Sequence, residues 1–81
     1  MQVKIRLFAR LRDIAGTADL AREVPAGATV ETVWLALAAE FPGMAPYRRS
    51  LSAAVNADFA RFTSAVADGD EVALLPPVSG G

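Results

Sequence analysis

An α+β roll, a mixed sheet packed on one main helix, is the fold class this sequence predicts, and three observations predict it. The opening stretch "QVKIRLF" alternates apolar and polar residues, the period-2 mark of a half-buried strand, and the closing stretch "ADGDEVALL" supplies an Asp-Gly turn and a last strand with Val72 and Leu74 on one face. Between them, Val30, Val33, Trp34, Leu37, Ala38 and Phe41 recur at i, i+3, i+4, i+7, i+8 and i+11, one face of an amphipathic helix. With only 81 residues, a single helix and several strands must share one core, and a domain of this size buries only about 60% of its unfolded surface.

In the first strand Val3, Ile5 and Leu7 take one face and Gln2, Lys4, Arg6 and Phe8 the other, so Phe8 is an aromatic on the polar side. A turn around Gly16-Thr17 leads into "LAREV", a second strand, and "PAGAT" closes that hairpin. Thr29 is placed to cap the helix, with Glu31 in the first turn suiting the positive end of the helix dipole. Pro42-Gly43 ends the helix, and a loop containing "APYRRS" follows. "LSAAVN" alternates again, and "DFARF" reads as a short strand or turn. An Asp-Gly turn then starts the last strand, which turns Val72 and Leu74 inward and Leu75 outward. Trp34 and Phe41 read as core, and Arg10, Arg12, Arg48 and Arg49 as solvated surface.

Composition removes whole classes of chemistry. The chain has no Cys and no His, hence no thiol nucleophile, disulfide, imidazole base or zinc-ligand cluster, and no metal site is expected. Its eight basic residues, scattered except for Arg48-Arg49, stand against nine acids, giving a formal charge of −1 and no continuous cationic stripe for nucleic acid. A hydrophobic content of 53% with 21% charged residues marks a compact chain. The charged, alternating N-terminal stretch provides neither a signal core nor a membrane span, so a cytoplasmic protein without membrane contact is expected.

The last eight residues, "LLPPVSGG", raise the functional question. From Val72 to Gly81 there is no charged side chain, which leaves the terminal carboxylate as the sole formal charge of that stretch. Pro76 and Pro77 favour an extended course, and Gly80 and Gly81 lack the Cβ that would bar a narrow channel. The division expected is a domain over residues 1–75 and a flexible tail over residues 76–81 whose end enters another protein's active site. A carboxylate becomes an acylating agent once AMP is transferred to it, and attack by sulfide then leaves a thiocarboxylate on Gly81. Such a carrier needs no cysteine.

"FARLRDIAGT", the central "AVN" and above all "DGDEVALLPPVSGG" resemble the MoaD family, the small, ubiquitin-like sulfur-carrier subunits of molybdopterin synthase. The resemblance covers nearly the whole chain. It implies the β-grasp fold, charging of Gly81 by an E1-like adenylating enzyme that uses ATP, and no cofactor bound by the chain itself. It further implies that Pro76, Pro77, Val78, Ser79, Gly80 and Gly81 insert into the large catalytic synthase subunit. There two thiocarboxylates in succession would build the molybdopterin dithiolene within a heterotetramer, so the small chain is no enzyme alone. The apolar docking residues of the family correspond to Phe8, Phe59 and Leu75; strand parity separately turns Phe8 and Leu75 outward. The segment "FARFTSAV" leaves Phe62 open between core and surface. Two alternatives stay open: a Gly-Gly carrier serving thiamine, cysteine or lysine conjugation, and a non-catalytic binding module with an inert tail.

Overall fold

The computed structural model describes residues 1–77. Five strands form one sheet: β1 (Gln2–Leu7), β2 (Asp19–Glu23), β3 (Ser52–Val55), β4 (Asp58–Ala60) and β5 (Glu71–Leu75), in the order β2-β1-β5-β3-β4. The central pair, β1 with β5, is parallel, and every other pairing is antiparallel. Two helices, α1 (Ala9–Ala15) and α2 (Val30–Glu40), and a 3-10 segment (Pro42–Ser50) complete the domain, which is a β-grasp fold. Among the described residues no helix is long and apolar enough to cross a membrane.

The alternation of the strands decides which face is covered. Val3, Ile5 and Leu7 of β1 and Val72 and Leu74 of β5 are all buried against Val30, Val33, Trp34 and Leu37 of α2. Leu11, Met44, Leu51 and Val66 fill the ends of this core, and Ala38 and Phe41 pack against it half-buried. The apolar stripe of α2 is therefore the one its sequence spacing predicts. Among the described residues no helix covers the other face of the sheet, where Gln2, Lys4 and Arg6 of β1 are exposed.

The start of α2 has every early amide satisfied. The Thr29 hydroxyl accepts from the Thr32 amide and the Thr32 hydroxyl from the Thr29 amide, a reciprocal cap. The next two donors turn to the incoming loop: Val30 N–H reaches the Ser64 carbonyl at 3.0 Å and Glu31 N–H the Phe62 carbonyl at 2.9 Å. At the far end Arg22 of β2 forks onto Glu40, with Nε at 2.9 Å from Oε2, tying strand to helix.

Three expectations need correction. β1 and β2 do pair antiparallel, but α1 joins them instead of a turn; Leu11 is buried in the core, Ile14 packs against it, and Gly16 closes the helix in the left-handed region at φ 79°. The stretch after Pro42 is a 3-10 segment through Ser50 despite Pro46, anchored by buried Met44. Arg48, read as solvated, is half-buried and forks onto Glu31, with Nη2 at 2.7 Å from Oε1. Its guanidinium lies 3.6 Å from the centroid of the Phe62 ring, which places Phe62 at the core's edge, partly buried beneath a cation.

The "AVN" and "DGD" stretches are architectural. Asn56 donates from Nδ2 to Asp70 Oδ1 and accepts at Oδ1 from the Glu71 amide, both at 2.9 Å, clamping the β3–β4 turn to the start of β5. Asp70 also accepts from the Ala67 amide at 2.7 Å, and Asp68 accepts from the Gln2 amide at 2.7 Å. The first of these contacts and the Asn56 amide hold the Asp70 carboxyl below the ordinary carboxylate range.

Candidate functional site: the helix-free face at the exit of β5

Register fixes what the helix-free face displays. β1 and β5 pair Leu7 with Leu74, so the residues that follow, Phe8 and Leu75, both turn to the uncovered side. One row further down, Phe59, Ala54, Ala73 and Arg6 stand opposite one another across β4, β3, β5 and β1. All three docking residues named from the sequence thus share one face.

They do not form one cluster. Phe8 is 38% exposed and Leu75 half-buried, and together they line a groove of about 670 Å³ with Ala9, Arg10, Tyr47, Ser50, Pro76 and Pro77. Phe59, 85% exposed, stands apart on edge strand β4, beyond the small side chains of Ala54 and Ala73. A broad, low apolar floor therefore runs from the groove to the Phe59 ring. An exposed phenylalanine on a three-residue edge strand is costly in water and is the kind of side chain a partner buries.

Part of the charge around this floor is paired within the chain. Arg6 pairs with Asp19 at 3.4 Å, and its guanidinium lies 5.9 Å from the Phe8 ring centroid, while Lys4 stands opposite Glu71. Arg10, on the groove wall, is exposed and has no ion-pair partner among the described residues. Among the same residues no group of three or more potential metal ligands is present.

Of the tail, Pro76 and Pro77 are described and belong to the groove itself. Val78, Ser79, Gly80 and Gly81 lie outside the described residues. The sequence missed Arg10, Tyr47 and Ser50 as groove residues. Arg10 follows Phe8 closely enough to have been suspected, but Tyr47 and Ser50 come from the 3-10 segment and carry no pattern that points to this face.

Comparison with known proteins places the chain. The ThiS family model matches residues 5–81. The molybdopterin synthase sulfur carrier subunit of Arabidopsis thaliana is 33% identical over 81 residues, covering all of this chain and 84% of that one. Crystalline SAMP1 from Haloferax volcanii superposes with a TM-score of 0.87 at 32% identity over the whole of both chains. The Amycolatopsis orientalis BexX/CysO complex contains a chain of the same fold, with a TM-score of 0.73 at 25% identity over 98% of this chain and 99% of that one. With its β-grasp sheet, its helix-free apolar face and a family match running from the first strand through the final glycine, the chain belongs to the ThiS family.

Proposed function

We propose that this chain is a sulfur-carrier protein whose Gly81 carboxylate is adenylated and then converted to a thiocarboxylate. An oxygen of the carboxylate attacks the α-phosphorus of ATP and pyrophosphate leaves; sulfide then attacks the acyl carbon and AMP leaves. An E1-like enzyme supplies the adenylation site, so ATP is bound by the partner and not by this chain. The thiocarboxylate donates its sulfur in the large catalytic subunit of molybdopterin synthase, where two successive donations form the dithiolene. The chain is the sulfur-donating subunit and works in the cytoplasm.

One observation carries this reading. The prolines that begin the tail line the same groove as Phe8 and Leu75, on the face that no helix covers. A partner that takes up the tail is thereby brought onto the apolar floor, and docking and tail insertion become one event. The relative from Arabidopsis thaliana, named as a carrier subunit of molybdopterin synthase, supports this destination. The test is intact-mass spectrometry after incubation with the activating enzyme, ATP and a sulfur source. Replacement of one oxygen by sulfur at Gly81 is expected; an unchanged mass, with a control carrier converted by the same enzyme, overturns the reading.

A second reading has one observation behind it, the close likeness to a chain described as a small archaeal modifier protein. There the same adenylate would be attacked by a lysine amine, releasing AMP and leaving an amide. Adducts of this chain on cellular lysines, in place of a thiocarboxylate, would favour that reading.

A further inference from the structure

Any enzyme that acts on Gly81 must come close to the groove. Four residues follow Pro77, and fully extended they reach at most about 14 Å, so the surface around the enzyme's active site is pressed against the groove walls. Seven of the eight groove residues are apolar or uncharged: Phe8, Ala9, Tyr47, Ser50, Leu75, Pro76 and Pro77. The eighth is Arg10.

Among the described residues Arg10 is the one charged side chain on the groove wall. Arg6 and Lys4 on β1 lie outside the groove lining, and Arg6 is held by Asp19 at 3.4 Å. Arg10 has no carboxylate within ion-pair distance among the described residues. A guanidinium on the wall of an apolar groove loses water when a partner closes over it, and that loss is compensated only if the partner brings a hydrogen-bonding anion. Its planar fork matches a carboxylate in two places.

We propose that Arg10 is a specificity-determining residue for the adenylating enzyme, which presents an aspartate or glutamate side chain to it at the root of the tail. This rests on the carrier reading above. Apolar contacts to Phe8 and Leu75 then give the area of contact, and the Arg10 contact gives orientation and rejects surfaces that place a lysine or arginine there.

The experiment is pyrophosphate exchange by the activating enzyme with full-length chain as substrate, comparing wild type with Arg10→Glu, Arg10→Gln and Arg10→Lys. Arg10→Glu is expected to raise the KM for the carrier roughly tenfold with kcat unchanged, and Arg10→Gln less. Arg10→Lys should recover only part of the loss, because an ammonium keeps the charge but cannot fork, and the gap between wild type and Arg10→Glu should shrink as salt is raised, as for a solvent-accessible ion pair. Thermal melting of each variant controls for folding, since Arg10 is exposed. Equal KM for wild type and Arg10→Glu at low salt overturns the proposal while leaving the carrier reading intact. A fall in kcat with unchanged KM also overturns it, because docking is then not what Arg10 governs. Failure of the wild-type chain to support exchange removes the carrier reading itself and the proposal with it.

Discussion

Glu31 and Phe62 are joined twice. The Glu31 amide donates to the Phe62 carbonyl at 2.9 Å, and the Glu31 carboxylate holds the Arg48 guanidinium 3.6 Å from the centroid of the Phe62 ring. Helix, 3-10 segment and the loop before β5 are thereby locked at one point. Arg48→Ala is expected to destabilise the fold by about 1–2 kcal/mol, as a half-exposed fork and a cation–π contact are lost together. Arg48→Lys should restore only part, because an ammonium cannot fork. Urea denaturation of both variants measures this; equal stability of wild type and Arg48→Ala would show that the cluster is ornamental.

The β3–β4 turn holds a strained alanine. Asn56 and Ala57 have φ of 50° and 72°, the left-handed pair that a two-residue hairpin turn requires, and asparagine tolerates it far better than alanine. Ala57→Gly is expected to stabilise by about 1 kcal/mol, a few degrees in melting temperature for a domain of this size. A lower melting temperature for the variant would place the dominant cost in the unfolded chain instead.

Acid should loosen the same region. The Ala67 amide and then the Asn56 side chain lower the Asp70 pKa, and hydrogen bonds from Arg48 lower that of Glu31. Folded values below the unfolded ones mean that these groups contribute stability at neutral pH. The contribution is lost as pH falls below about 4 and through the folded values. Asp70→Asn should therefore be less stable than wild type at pH 7, with the gap closing toward pH 3. Denaturant midpoints across this range decide it; a gap that stays constant with pH would exclude ionisation of Asp70 as its source.

Docking and folding should separate on the helix-free face. Phe8→Ala and Leu75→Ala are expected to lower affinity for a tail-binding partner by roughly tenfold or more each. Phe59, the more exposed ring, should show the larger ratio of affinity loss to stability loss. Calorimetry beside thermal melting tests this. Unchanged affinity with a large fall in melting temperature would return these side chains to a purely structural role.

On the carrier reading, a residue added after Gly81 should abolish thiocarboxylate formation and leave the melting temperature unchanged, because the buried core runs from Val3 to Leu74 and precedes the tail. Conversion of the extended chain without loss of the added residue would show that the reacting group is elsewhere.

Most of the sheet was legible because strand parity is a local signal: Val3, Ile5, Leu7, Val72 and Leu74 face inward as the alternation requires, and Phe8 and Leu75 outward. Helix α2 was legible for the same reason, with its Thr29 cap and Pro42 stop. Helix α1 was not. Its seven residues are too few for a convincing period, and it is held by Leu11 in the core and Gly16 at its end more than by intrinsic propensity. Phe62 was undecidable because its place depends on Arg48, 14 residues earlier in the chain and on another element. The groove was only half legible: Phe8, Leu75, Pro76 and Pro77 follow from strand parity and tail position, whereas Tyr47 and Ser50 arrive through tertiary packing.

The position of β5 has a consequence for how the molecule comes into being. β5 joins β1 on one side to β3 on the other, so before it is in place the sheet is two unconnected halves, β1–β2 and β3–β4. Neither two-stranded half is large enough to stand alone in water, and closure waits for contacts between residues 67 apart in sequence, as Lys4 and Glu71 are. During synthesis the native sheet therefore cannot assemble until the strand that immediately precedes the tail has emerged. The groove beside Pro76 and Pro77 is built by that same closing step, because Leu75 of β5 and the two prolines after it form part of its wall, so a chain whose sheet has not closed lacks the groove altogether.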